Sequence, residues 1–190
     1  MGVITNNMSY TTQNSLLLGG LIKFYKTDNN INKILSIING ENPISLRLID
    51  WFVTNFSKKH YTNYNVVDYK NGVRVFKVYI DYKLKLKAYS KKRFDPFCRW
   101  ERITIPYGEG TSVQTTIGQL NFFKWVLENN IIDYIKNNTQ EIENDMNSRN
   151  SSKNNRKKSD GKTRRKRQEL SMSATKSIKK ENVEVIVTFD

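Results

Sequence analysis

Between Val73 and Arg93 apolar and polar residues alternate with few interruptions. Phe76, Val78, Ile80, Tyr82, Leu84, Leu86 and Ala88 occupy one set of positions, and Lys77, Tyr79, Asp81, Lys83, Lys85 and Lys87 the other. Side chains of a strand point alternately to its two faces, so the pattern predicts a long half-buried strand, continuous or broken near Asp81. On that strand Lys83, Lys85 and Lys87 project from one face about 7 Å apart, at a rise of roughly 3.3 Å per residue. This is close to the spacing of successive phosphates on a nucleic-acid strand, and Tyr79 and Tyr89 add aromatic surface. Lysines also guard an exposed strand edge against aggregation. The rest of the chain decides between these readings.

Around this stretch the spacing is mostly helical. Leu16–Tyr25 reads as a short strand interrupted at Gly19-Gly20. Ile31, Ile34, Leu35 and Ile38 mark an amphipathic helix with Thr27 or Asp28 as N-cap and Gly40 as its stop. After Pro43, Leu46, Ile49, Phe52, Val53 and Phe56 predict a second helix ending near Ser57-Lys58-Lys59, where lysines suit the negative end of the helix dipole. Asn71-Gly72 is a turn signal, Arg102–Tyr107 a short strand, and Gly108-Glu109-Gly110 a hairpin turn. Thr116 and Gln119 have capping-box spacing. Ile117, Leu120, Phe123, Leu127, Ile131 and Tyr134 then trace a helical face that Phe122, Trp125, Val126, Ile132 and Ile135 widen until it must be largely buried. Asn129-Asn130 is where that helix would divide.

Composition changes near Asn137. From 139 to 182 large apolar residues nearly vanish, so burial cannot offset the entropy of ordering, and disorder is expected. Val183, Val185, Val187 and Phe189 alternate with Glu184, Ile186 and Thr188 as a final strand, which would return to its own sheet or add to another protomer. The expected organisation is a flexible N-terminus (1–14), an α+β domain (15–138) with helices packed on one face of a small antiparallel sheet, a disordered basic C-terminal arm (139–182) and the strand 183–190. A homo-oligomer formed through that strand is one expectation.

Charge gives the clearest functional signal. Thirty-two Lys and Arg against 18 Asp and Glu leave a formal +14, which calls for a polyanionic partner. Between 149 and 180 there are 13 cations against Asp160 and Glu169. Arg156, Lys157, Lys158, Lys162, Arg164, Arg165, Lys166 and Arg167 form the densest part, a nucleic-acid arm or a nuclear address. One cysteine excludes an intramolecular disulfide, and with only one histidine beside it no structural zinc site is expected. No apolar run approaches the roughly 20 residues of a membrane span, and the N-terminal residues lack a secretory pattern.

Catalytic patterns are sparse. Asp68 with Asp81 and Lys83 can be arranged as a magnesium-dependent nuclease site if Asp81 and Lys83 share a strand face. Lysine-rich strands generate such matches by chance. His60 reads as solvent-facing at a helix end and Cys98 as a buried, inert thiol. Asp95, Arg99, Glu101 and Arg102 read as an ion-pair network beside Trp100. No catalytic residue, metal or cofactor is assigned.

Three blocks carry a resemblance. They are Lys92-Arg93-Phe94-Asp95-Pro96-Phe97-Cys98 with Glu101-Arg102-Ile103, then Thr115-Thr116-Ile117-Gly118-Gln119-Leu120-Asn121-Phe122-Phe123-Lys124-Trp125, and upstream Ser45–Val53. Over roughly residues 40 to 138 the chain resembles an uncharacterised protein family of giant, mimivirus-like DNA viruses. The abundance of Asn, Ile and Lys agrees with an AT-rich genome. The resemblance implies a viral setting, with a very large genome to compact, transcribe or package, and transfers no catalytic residue.

The expected function is non-enzymatic, largely sequence-independent binding of double-stranded DNA that condenses or packages a viral genome, in the virion or in the host cytoplasm or nucleus. Lys83, Lys85, Lys87, Lys91, Lys92 and Arg93 would be the ordered footprint, and Arg156 to Arg167 the arm. A virion structural protein that grips acidic partners with its basic tail is the alternative, with a magnesium nuclease behind it.

Overall fold

Leu17, Leu21, Phe24 and Tyr25 recur at helical intervals and pack inward together, so the first element is helix α1, Gln13–Lys26. The short strand expected at Leu16–Tyr25 is thereby corrected. Gly19 and Gly20 lie on its open side, with nothing within 4 Å of where a Cβ would stand. The structure is a computed structural model and describes residues 13–27, 29–68, 72–108, 111–156 and 179–182. Tyr25 is buried, and its hydroxyl donates to the Leu120 carbonyl at 2.7 Å, tying α1 to a helix far along the chain.

Helix α2, Asn30–Ile38, forms where the periodicity places it, but it starts behind Asn29 in a left-handed conformation (φ 55°), without a side-chain cap. Helix α3, Leu46–Trp51, is capped by Ser45, whose Oγ accepts from the Leu48 amide at 3.1 Å. It widens into a π-helical turn, Phe52–Phe56, and finishes as α4, Ser57–His60. His60 is exposed and its ring stacks on Phe56 at 4.2 Å. Strands β1, Asn63–Asp68, and β2, Gly72–Lys77, then pair as an antiparallel hairpin in register Asn63↔Lys77 to Asp68↔Gly72. Tyr64, Val66 and Phe76 join the core, whereas Val67, Val73 and Val75 are exposed.

The long strand expected over Val73–Arg93 stops at Lys77. Val78–Arg93 is helix α5. Alternation misleads here because residues four apart share a face in both a strand and a helix. Val78 is buried and Tyr82, Leu86 and Tyr89 pack against the core, while Ile80 and Leu84 face out. After Ile80 no β-branched residue occurs through Arg93, and Lys, Leu and Ala favour helix. Ser90 (φ 62°, ψ 164°) interrupts the helical path, so Lys91–Arg93 form a separate last turn.

Strands β3, Arg102–Gly108, and β4, Thr111–Thr116, form a second hairpin, and β5, Lys179–Asn182, adds antiparallel to β4. The final strand expected at 183–190 lies outside the described residues, as does 157–178 of the expected arm. Thr116 caps helix α6, Ile117–Glu128, by accepting from the Gln119 amide at 3.2 Å. The helix ends at Asn129-Asn130 as expected, with Asn130 left-handed (φ 51°) ahead of α7, Ile131–Asn137. Helix α8, Thr139–Arg156, follows. Ile142 is fully buried, and Asp145 accepts from Trp51 Nε1 at 3.0 Å and from Lys59 Nζ at 2.5 Å. The ordered domain therefore continues past 138, through the part of α8 that carries Ile142, Asp145 and Arg149. The amphipathic signal is thin there because Ile142 and Met146 are the only large apolar residues that α8 adds to the core region. The fold is α+β, mostly helical with two small antiparallel sheets.

Candidate nucleic-acid interface

Helix α5 carries six cations against the single Asp81. Asp81 lies in its first turn and Lys91, Lys92 and Arg93 in its last, each matching the sign of the helix dipole at that end. Lys83 and Lys87 are exposed one turn apart, about 6 Å along the axis, with exposed Ile80 and Leu84 beside them. Lys85 does not share their face: two residues along a helix is roughly 200° of rotation. It instead borders a cleft of about 1080 Å³ with Arg74 and Asp81. Among the described residues no carboxylate pairs with Lys83, Lys85 or Lys87. The single row of three lysines expected from a strand is thus replaced by a pair outside and one cation turned toward the cleft.

The last turn of α5 is engaged differently. Lys91 Nζ lies 3.9 Å from Asp95 Oδ2, and Lys92 Nζ 2.6 Å from Glu101 Oε1. Arg93 donates to Gln13 Oε1 at 2.9 Å. The expected ion-pair network among Asp95, Arg99, Glu101 and Arg102 takes another form, because both acids reach back to α5 and Arg102 donates to Gln114 Oε1 at 2.9 Å. Lys91 and Lys92 stay largely exposed. Under this end of α5, burial first and the nearby Asp95 charge second push the Asp50 carboxyl up to about 6, against the opposing pull of Lys91.

The loop from Phe94 to Glu101 is clamped from below by the start of α6. Asn121 Nδ2 donates to the Arg93 carbonyl and Gln119 Nε2 to the Pro96 carbonyl, each at 3.0 Å. The Asp95 amide donates to the Gly118 carbonyl at 3.3 Å, and Asp95 Oδ1 accepts from the Phe97 amide at 2.8 Å. Phe94 and Cys98 are buried. This clamp holds Trp100 outward, 75% exposed, beside exposed Arg99 and Arg102. Sequence reasoning assigned Trp100 no role, although an indole next to Arg99 and two residues before Arg102 was the available signal.

The nuclease arrangement is not formed. Asp81 and Lys83 lie on opposite sides of a helix, and Asp81 Oδ1 accepts from Trp125 Nε1 at 2.6 Å. Among the described residues no group of three His, Cys, Asp or Glu is placed to hold a metal ion, and no helix is long and apolar enough to cross a membrane. Arg156 is the last residue of α8. Lys157, Lys158, Lys162, Arg164, Arg165, Lys166 and Arg167 lie outside the described residues.

An α+β domain whose cationic helix and clamped loop sit side by side is the class that the geometry defines. The chain belongs to a family of unknown function, DUF7197, which matches residues 4–159. It is 43% identical over 148 residues to "Uncharacterized protein L507" of Acanthamoeba polyphaga mimivirus, covering 74% of this chain and 56% of that protein. The chain therefore spans little more than half the length of this relative, and the match supports a viral origin. No solved structure matches. The family extends beyond the 40–138 of the resemblance, taking in α1 and α8.

Proposed function

We propose that this chain is a non-enzymatic, largely sequence-independent DNA-binding protein that condenses or packages a viral genome, in the virion or at the site of virus assembly in the host. The observation that carries the reading is the exposed pair Lys83 and Lys87 on a helix with six cations and one acid, in a chain of net charge +14. Charge on one ordered helix face supplies a docking surface for phosphates but reads no base edges, so such binding is sequence-independent. The run Arg156–Arg167 adds cations by composition.

A gel-shift titration on random-sequence duplex DNA tests this, with the full chain and a chain ending at Arg156, with and without magnesium. Neutralising about 6–10 phosphates makes affinity fall by roughly 10³–10⁵ between about 50 and 200 mM salt. DNA that stays unshifted at low salt defeats the reading, and magnesium-dependent cutting replaces it with a nuclease. The exposed Val67, Val73 and Val75 favour one rival, a virion structural protein that docks by this hairpin face. That rival is left standing if the chain associates with itself or a virion partner and ignores DNA.

A further inference from the structure

Trp100 is the one tryptophan with a free face. Trp125 is 3% exposed with its N–H given to Asp81, and Trp51 is half-buried with its N–H given to Asp145 and Arg149 lying over its ring. Trp100 has neither a ring contact nor a hydrogen-bond partner among the described residues. A large aromatic left in water on a mobile loop would be unremarkable, but this loop is fixed. Its backbone is held by Gln119 and Asn121, its far end by the Lys92–Glu101 ion pair, and Glu101 takes a left-handed conformation (φ 50°) to turn the chain into β3. Trp100 shares a shallow hollow with Lys92, Arg93, Glu101 and Ile117, too small to enclose a base, and Glu101 there is already paired with Lys92. The indole can therefore receive a flat ring only on its outer face, with cations alongside.

We propose that Trp100 is a stacking platform for an unpaired nucleobase, with Lys92 and Arg93 holding the adjoining phosphates, so that the protein engages single-stranded as well as duplex nucleic acid. This rests on the nucleic-acid-binding reading and adds a substrate class to it. Bases inside a duplex are already stacked and cannot reach the indole, whereas a single strand offers them without a melting cost. Every base has a π-face, so the contact is sequence-tolerant, and an indole held in advance loses little freedom on stacking. Cationic side chains around it supply the phosphate attraction that stacking alone lacks.

The experiment uses the full chain and four probes: an unstructured oligothymidylate, an abasic oligonucleotide of equal length, a duplex and poly-glutamate. Oligothymidylate is expected to quench the emission of the exposed indole and to bind on the order of tenfold tighter than the abasic strand. Trp100→Ala is expected to erase that preference with its melting temperature unchanged, and Trp100→Phe to restore part of it. Equal binding of the thymidylate and abasic strands by the unmodified chain overturns the platform, as does a preference that survives Trp100→Ala. Poly-glutamate quenching as strongly as thymidylate also overturns it, since charge alone then suffices. Duplex binding without any base preference removes the platform but keeps DNA binding, whereas failure of every nucleic-acid probe at low salt removes both.

Discussion

Gly118 approaches Cys98 so closely that a Cβ on the glycine would stand 3.0 Å from the cysteine Cβ and 3.2 Å from its Sγ. The Lys92 carbonyl oxygen would be equally near, at 3.0 Å. The start of α6, the loop that presents Trp100 and the end of α5 thus meet where a methyl group would force its neighbours to give by a few tenths of an ångström. Gly118→Ala is expected to cost about 1–3 kcal/mol, as overpacking of a tight contact does, and to loosen the loop as well as lower the melting temperature. Gly19→Ala supplies the contrast. Nothing lies near its Cβ position, so a helical alanine there should gain up to about 1 kcal/mol. A Gly118→Ala chain that melts at or above the temperature of the unmodified chain would refute the close approach.

Asp50 gives a stability that depends on pH. Its carboxyl moves from 3.8 to about 6 on folding because burial, and then the Asp95 charge, disfavours ionisation. Below about pH 4 the group is protonated in both states and has no effect. As pH rises through about 6 the folded state must accept a charge that the unfolded state carries freely, and stability falls. Asp50→Asn removes this loss. It should stabilise the protein by about 1–3 kcal/mol near neutral pH, at roughly 1.4 kcal/mol per pKa unit, with the gain fading toward pH 4. Urea midpoints measured across that range check the slope; a gain independent of pH would count against the assignment.

Helix α8 is part of the domain, and truncation should reveal it. A chain ending at Asn138 loses the buried Ile142 and leaves Trp51 Nε1 without Asp145, so it should melt lower or fail to fold. A chain ending at Arg156 keeps both contacts and loses only the edge strand β5, so it should melt closer to the full chain. The hydrogen bond and charge of Lys59, with the Trp51 hydrogen bond, outweigh burial and hold the Asp145 carboxyl below its usual value. That contribution is therefore present above about pH 4 and is lost as pH falls through the folded value. Asp145→Ala should cost about 1–3 kcal/mol at neutral pH and less in acid. A shortened chain that ends at 138 and melts normally would show α8 to be dispensable.

Much of this clamp was legible as pattern without being legible as contact. The Thr116–Gln119 spacing marked a helix start, and Asn129-Asn130 marked its end, because capping and left-handed Asn are local chemistry. What Gln119 and Asn121 hold could not be read, since their partners, the Pro96 and Arg93 carbonyls, are more than twenty residues away. Local rules failed at α5 for a different reason. Alternation placed Tyr82 and Leu84 on one face, whereas packing turns Tyr82 in and Leu84 out; helix propensity after Ile80 held the better signal. In α8 composition predicted disorder, but one isoleucine and one buried carboxylate sufficed to seat the helix on a neighbour that sequence alone does not identify.

The change of α5 from strand to helix alters which lysines should matter. On a strand, Lys83, Lys85 and Lys87 would contribute equally to DNA binding. On the helix, Lys83 and Lys87 face solvent together and Lys85 turns toward the cleft beside Asp81 and Arg74. Lys83→Ala with Lys87→Ala should therefore weaken duplex binding uniformly across sequences and flatten the log–log salt slope by about 2, near 0.9 for each phosphate left unneutralised. Lys85→Ala should change the slope by much less. Among the described residues none of the three substitutions removes an ion pair, so melting temperatures should barely move. Salt titrations in which Lys85→Ala matches either of its neighbours singly would return the lysines to one face and discredit the helical footprint.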